Sequence, residues 1–542
     1  MSKVISLEQA AKMIKDGSII ASATSGVSFP TELASAIEKN FLETGHPRNI
    51  WHVHAAGAVP GDCWAHEGMI SGTISSHEST SPKIAKMIEN NQIAGWYMPL
   101  GTMLQMFREQ GRGLPGTFSK VGLGTFMDPR QDDGCLNRKA RAITDKKKAA
   151  GQALTIYYPD VMDGEYIFYR GLKYDIGIIR GTTADERGNV TIEDEVFTLE
   201  IADVARAVKA CGGKVIVEVK RLAAEGSLDP KAVKVPAYLV DYICVEEHPE
   251  RVVHGLKPYD GSEKITHWDS FTGRLKVPLH EVIEKMPFGP KKVIVRRSVM
   301  EAEYGWICNF GIGMPTYCGS EFYEEGVFDR FLMTSEIGAV GGVPASGRDF
   351  ACHYNVEASV STTDQFDWFD GVGLDFGVFG LSEAQEDGSI NTSRLNGVTL
   401  GVGGFANIAL GAKKSVFMGT FTTKGLKEHI ENGKLVIDQE GKLPKFVKRS
   451  DQLTFVAPEA LKKGHELIYV TERCVFKGTL EGLVLTEIAP GIDLEKDILA
   501  HMGFKPIIPE GGVKLMDPAI FQEKWGGLKA ILDEKEKAKK EE

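Results

Sequence analysis

Short apolar runs, each closed by glycine or a small polar residue, recur along this chain and alternate with stretches of helical period. The runs 175–179, 215–219, 239–245, 292–295, 375–379 and 415–418 are rich in Val, Ile and Phe and read as buried strands. Segments 30–41, 81–90 and 319–325 read as helices. Strands alternating with helices predict the α/β class, with open sheets covered by helices.

The pattern repeats. Asp175-Ile-Gly-Ile-Ile-Arg-Gly leads to Gly188 with the spacing that takes Asp375-Phe-Gly-Val-Phe-Gly-Leu to Gly388, an offset of 200 residues. The same offset pairs Lys214-Val-Ile-Val-Glu-Val219 with Lys414-Ser-Val-Phe-Met-Gly419. Earlier, Gly17-Ser-Ile-Ile-Ala-Ser matches Gly305-Trp-Ile-Cys-Asn-Phe at an offset of 288, so the first half holds about 88 extra residues, expected within 50–165. The reading is two tandem homologous open-sheet domains, 1–260 and 291–525, joined through 257–290. Residues 526–542 then read as a solvated charged tail.

Within the second half, Phe331-Leu-Met-Thr-Ser-Glu336-Ile-Gly338-Ala-Val-Gly341-Gly342 carries a carboxylate where a buried strand breaks into glycines. Open α/β sheets bind ligands at strand ends, and glycines allow another molecule's backbone or a bulky substrate to approach closely. With no His, Cys or metal motif beside it, Glu336 is itself a candidate nucleophile. Two glycine loops share that half. Asn309-Phe-Gly311-Ile312-Gly313-Met314-Pro315 precedes a helix, a context open to an anion or a cofactor. Gly401-Val-Gly403-Gly404-Phe405-Ala-Asn407 offers backbone N–H donors suited to an oxyanion or a phosphate, though it lacks the order of a dinucleotide fingerprint. Either loop alone could be no more than a tight turn.

Composition changes this picture by exclusion. The chain of 542 residues is 42% hydrophobic and 25% charged, too long for one core and without an apolar run able to span a bilayer. Its net charge of −11 argues against nucleic acid as a partner, and the first residues lack the layout of a signal peptide, so a cytoplasmic enzyme is expected. Eight cysteines without a Cys-x-x-Cys pair give neither a zinc site nor a disulfide framework. His52-Val-His54, followed by His66 and His77, could be a metal pair on one strand face or simply strand histidines, and nothing supplies the remaining ligands. No Gly-x-Ser-x-Gly is present for a serine hydrolase.

Several motifs in one order carry a resemblance: Ser335-Glu336-Ile-Gly338-Ala-Val-Gly-Gly342-Val-Pro, Phe366-Asp-Trp-Phe-Asp-Gly371, Gly401-Val-Gly-Gly-Phe-Ala-Asn407, Phe417-Met-Gly-Thr-Phe-Thr422 and Tyr469-Val-Thr-Glu-Arg473-Cys-Val-Phe476. In the first half, Val121-Gly-Leu-Gly-Thr-Phe-Met-Asp128 joins them. Together they resemble family I coenzyme A transferases, most of all the single-chain type acting on short-chain acyl groups such as acetate or propionate. Pro99-Leu100-Gly101 and Ser75-Ser76-His77 depart from the family pattern, which bears on acyl or acceptor preference.

The resemblance implies ping-pong transfer of CoA from an acyl-CoA to a small free carboxylate through a glutamyl-CoA thioester at Glu336. Coenzyme A is then a co-substrate, with no metal or prosthetic group. Gly403 and Gly404 would serve the oxyanion, Gly311, Ile312, Gly313 and Met314 would line the CoA channel, and Gly401, Phe405 and Asn407 would help to bind CoA. Lys413 and Lys414 would either meet phosphates or be solvated. A homo-oligomer is expected at this size. The alternatives are an acyl-CoA hydrolase on the same fold and a non-catalytic acyl-CoA-binding protein.

Overall fold

The computed structural model describes residues 2–24, 28–57, 59–161, 163–248, 268–395 and 397–541. Seven of its strands, β1 (Ile19–Ser22), β2 (Ile50–His54), β3 (Ile70–Ser75), β4 (Ala94–Tyr97), β5 (Ile176–Asp185), β6 (Lys214–Ala223) and β7 (Tyr242–Val245), pair in the order β7-β6-β5-β1-β2-β3-β4, all parallel. A second sheet uses β8 (Ile307–Phe310), β9 (Leu332–Thr334), β10 (Phe376–Gly380), β11 (Lys414–Met418), β12 (Glu466–Val470), β13 (Cys474–Thr479) and β14 (Gly482–Ile488). Its order is β9-β8-β10-β11-β12-β13-β14, parallel as far as β12 and antiparallel beyond. The expected α/β class with two open sheets is what the chain adopts.

The repeat is visible in the hydrogen bonding. Ile176 pairs with Lys214 across β5 and β6, and Phe376 pairs with Lys414 across β10 and β11. The Asp175 carboxylate accepts the Ile19 N–H at 2.9 Å, and the Asp375 carboxylate accepts the Ile307 N–H at 3.1 Å. These aspartates sit just ahead of their strands and satisfy the first amide of β1 and of β8, which pins the register of each central pair.

The chain divides into two units: Met1–Leu275 with Ser359–Asp367 and Asn396–Asn407, and Lys276–Ala358 with Trp368–Leu395 and Ile408–Glu542. The span 291–525 is therefore not one uninterrupted domain, because two of its segments pack with the first half. Of the expected boundary region, 257–267 lies outside the described residues. The extra length of the first half is built as β3, β4 and a three-stranded antiparallel sheet (Gly116–Ser119, Thr155–Val161, Gly164–Arg170) that runs on past 165 to Arg170. Each unit has its own apolar core, one around Ile20, Ile50, Ile178 and Ile216, the other around Cys308, Met333, Val378 and Val416.

Two readings of the sequence are corrected. The run 292–295 is not a strand but part of a helix, Pro290–Val299, with proline in its first turn. Its charged residues are buried with partners: Lys292 lies 2.7 Å from Glu321 and 2.6 Å from Glu324, and Arg297 pairs with Glu487 at 2.7 Å. An apolar triplet between charges that are themselves buried carries no period that separates helix from strand. The charged tail is also a helix, Leu528–Glu541. Leu528 and Leu532, one turn apart, are buried, Lys535 Nζ donates to Met300 O at 2.6 Å, and Tyr304 donates its hydroxyl to Asp533 at 3.0 Å.

If that helix is structural, Leu532→Ala leaves a cavity in the second unit and should cost about 2–5 kcal/mol in urea unfolding. An unchanged midpoint would restore the reading of a solvated tail.

Candidate active site

Glu336 stands where β9 ends. Ser335 N donates to Ala339 O at 2.9 Å, Gly338 N to Ser335 O at 3.2 Å, and Thr334 pairs antiparallel with Val340. These bonds close a tight hairpin with Glu336 at its tip, on the carboxyl edge of the second sheet. Gly341 (φ +77°) and Gly342 (φ +70°) follow in the left-handed region. A Cβ on Gly341 would stand 2.5 Å from the Glu357 carboxyl carbon, and one on Gly342 would overlap the Tyr354 carbonyl. The close approach that these glycines permit is therefore made by this chain's own backbone and side chain, not by another molecule.

The neighbouring strand β8 ends in the first glycine loop. Gly311 N donates to Val378 O at 2.8 Å, extending the parallel ladder, and Gly313 (φ +85°) turns the chain into a 3₁₀ turn, Met314–Thr316, and then the helix Tyr317–Glu324. Thr316 Oγ1 donates to Gly313 O at 2.7 Å, and Ile312 is 55% exposed, which leaves an apolar side chain on offer at this edge. Glu336 and the Gly311–Met314 loop thus share the carboxyl ends of two adjacent strands.

The second glycine loop belongs to the first unit. Val402 N and Gly403 N both donate to Ser76 O, at 2.8 and 3.2 Å, and Gly403 O accepts Leu100 N at 3.3 Å. Asn407 is fully buried, and its Oδ1 accepts the Gly101 N–H at 3.1 Å. Gly401 (φ +117°) lies so close to His77 that a Cβ there would overlap the imidazole stem. The Gly403 N–H is thus already committed, which corrects its assignment as an oxyanion donor. Gly404 keeps an N–H without an acceptor among the described residues. Gly401 and Asn407 are packing positions here, and Phe405 opens the short helix Phe405–Gly411.

The lysines and histidines serve other ends. Lys413 pairs with Asp375 at 2.8 Å and Lys414 with Glu301 at 3.3 Å, both at the amino end of β11 and so on the edge opposite Glu336. His52 Nε2 lies 2.6 Å from Ser22 Oγ, and His54 Nε2 lies 3.2 Å from the Glu78 carboxylate. Both members of that second pair are buried. Desolvation is the largest influence and lowers the His54 pKa, but the Glu78 charge, the hydrogen bonds to Glu78 and to the Ala56 carbonyl, and the Glu200 charge together outweigh it and raise the value.

With this geometry in hand, the chain can be compared with known proteins. A sequence model described as Coenzyme A transferase matches residues 4–246. A caffeate CoA-transferase of Acetobacterium woodii is 38% identical over 547 residues, covering 98% of this chain and all of that protein. The chain belongs to the coenzyme A transferase family. An acetate CoA-transferase of Escherichia coli K12, YdiF, is 34% identical over 530 residues, 96% of this chain and 95% of its own. The crystal structure of the acyl-CoA transferase YdiF from E. coli O157:H7 superposes with a TM-score of 0.87 at 32% identity, covering 97% of each chain. A second structure of that enzyme, a thioester complex with CoA, gives a TM-score of 0.86.

The candidate nucleophile Glu336 is present in one half only. Ile19 pairs with Trp51 in β1 and β2 as Ile307 pairs with Leu332 in β8 and β9. Carried forward, that correspondence sets Ala55 against Glu336, Gly57 against Gly338 and Gly61 against Gly342. The glycines recur at these positions and the carboxylate does not, and the first half uses its glycine differently: the Gly57 N–H goes to the His77 ring, while the Gly338 N–H closes the hairpin on Ser335 O. Sequence reading missed this because the repeat was traced only through its flanking strands.

The Glu336 side chain is half-buried, and no hydrogen bond reaches its carboxylate among the described residues. Burial alone pushes its pKa up to about 7. No donor among the described residues holds this carboxylate in its ionised form. Its basicity is instead raised toward neutrality, the range in which a group exists in part as anion and is a stronger base when it does.

Gly313→Ala meets nothing within 4 Å and should cost only left-handed strain, about 1–2 kcal/mol. Gly342→Ala adds a collision with backbone, so its loss in chemical denaturation should be at least ~1 kcal/mol larger. Equal losses would mean that the hairpin yields without resistance.

Proposed function

We propose that this transferase moves CoA between a short-chain acyl-CoA and a free carboxylate through a covalent thioester on Glu336. The observation that carries the reading is a single carboxyl at a hairpin tip, poised near neutrality, with Ala55 in the homologous place of the other half. The ionised Glu336 attacks the thioester carbonyl of the donor, and collapse expels CoA thiolate and leaves an acyl-glutamyl anhydride. The thiolate then attacks the glutamyl carbonyl carbon, breaking its bond to the bridging oxygen. This releases the first carboxylate and forms glutamyl-CoA. An incoming carboxylate runs the same steps backwards, so atoms and charge balance without an added cofactor.

The oxyanion at each step needs donors, typically worth ~3 kcal/mol each, and the Gly404 N–H is our candidate. The Gly311–Met314 loop, with Ile312 exposed, is our candidate for the CoA handle, whose remote binding energy offsets the cost of the anhydride. The reading includes a homo-oligomer in the cytoplasm. Among the described residues no helix is long and apolar enough to cross a membrane.

For the acyl group a second reading has its own support. The acetate-specific name belongs to a relative at 34% identity and the caffeate name to one at 38%. Acetyl-CoA with equal acetate, propionate and caffeate as competing acceptors separates the two readings by product ratio. A short-chain enzyme makes little caffeoyl-CoA, and the reverse ratio overturns that choice.

The covalent step is tested by incubating the protein with acetyl-CoA, reducing with borohydride and sequencing the Glu336 peptide by mass spectrometry. Conversion of that glutamate to its alcohol is expected, and Glu336→Gln should lose at least ~10⁴-fold in kcat, because a covalent nucleophile is removed. An unmodified Glu336 with acetyl-, propionyl- and caffeoyl-CoA alike would end the mechanism. The pH profile gives a further check. A carboxyl with its pKa raised to about 7 is protonated below that pH, so the rate of thioester formation should fall as pH drops through about 7 and level off above it. A flat profile from pH 5 to 8 would mean that Glu336 titrates as an ordinary carboxylate.

A further inference from the structure

His77 takes no part in the steps above, yet three segments meet at it. It lies two residues beyond the end of β3. Its Nε2 accepts the Gly57 N–H at 3.0 Å, so the proton of the neutral ring sits on Nδ1, which lies 2.9 Å from Ser79 Oγ. Gly57 is the sequence counterpart of Gly338, so one ring nitrogen holds the first-half segment that corresponds to the Glu336 turn. On the other side, the stem of the ring abuts Gly401 so closely that no Cβ fits there. The preceding carbonyl, Ser76 O, accepts both Val402 N and Gly403 N. Desolvation lowers the His77 pKa to about 4, consistent with a ring that is neutral and fixed in one tautomer.

We propose that His77 is a positioning residue for the transferase reaction, anchoring the Ser76–His77 corner on which the Gly401–Gly404 loop rests. Of the amides at 402–404, two are consumed by Ser76 O, and the loop is thereby held with the Gly404 N–H left over. Bound at Gly57 and Ser79, the ring cannot swing away from Gly401. Without the ring, Ser76 O loses its fixed place, and the loop amides acquire alternative acceptors, including water.

This inference rests on the transferase reading, so the wild-type protein is first shown to form the Glu336 thioester from acetyl-CoA. Failure there sinks that reading and leaves the loop untouched. With the thioester established, three variants are compared. His77→Ala removes ring and acceptor, His77→Phe keeps bulk without an acceptor, and His77→Gln keeps an acceptor at the position of Nε2. The Ala and Phe variants should lose about 10- to 100-fold in kcat, with KM for acetyl-CoA changed less than about 3-fold, the pattern of a lost transition-state interaction. His77→Gln should recover to within about 3-fold of wild type, since its carbonyl can take the Gly57 N–H. Hydrogen exchange provides a readout independent of turnover: the Val402 and Gly403 amides should exchange at least ~10-fold faster in the Phe variant than in the Gln variant. If His77→Ala fails to fold, the Phe and Gln pair decides alone. The proposal is overturned by wild-type kcat in the Phe variant, by a change confined to KM, or by equal exchange at Val402 and Gly403 in the two.

Discussion

A carboxylate bound to one backbone amide sets the frame on which this transferase depends. Asp375 receives the Ile307 N–H at the start of β8, and from that bond the parallel ladder fixes where β8, β9 and β10 end. In a parallel sheet all carboxyl ends fall on one edge, so a register set at the amino side decides which side chains become neighbours at the other. Glu336 at the end of β9 and Gly311 at the end of β8 come together for that reason. Asp175 does the same for Ile19 in the first half. A slip of one residue at either aspartate would turn every inward side chain of the strand outward.

The duplication shows how one fold supports an unequal division of labour. Both halves keep a glycine shortly after the second strand, Gly57 and Gly338, but only one has a carboxylate two positions ahead of it. Buried carboxylates of the first half have other partners: Glu78 lies beside His54, Glu195 and Glu218 beside Arg180, and Glu200, whose pKa burial also raises to about 7, accepts the Thr24 N–H.

Much of this was legible in the sequence because it lies in periods and offsets. The 200-residue repeat, the strand runs at 175, 215, 375 and 415, and the break of an apolar run into glycines at Glu336 are all local signals. What escaped is non-local. The helix Pro290–Val299 was hidden because Lys292, Arg296 and Arg297 are buried, and only their distant partners explain how. The commitment of the Gly403 N–H depends on Ser76, more than three hundred residues away, and a glycine-rich string cannot announce which of its amides is already spent. The role of Gly341 and Gly342 was misassigned for the same reason, since Tyr354 and Glu357 reach them through a fold that no spacing reveals.

That long reach bears on how the protein is made. Ser76, Leu100 and Gly101 emerge early from the ribosome, but their partners at 402–407 are among the later residues. At about 5–20 residues per second, those three residues wait roughly 15 to 65 seconds for the segment that completes their unit. Its carboxyl edge stays unfinished throughout that interval. The first half is therefore not complete when its own continuous stretch has been translated. It is finished only when about half of the second has been synthesised.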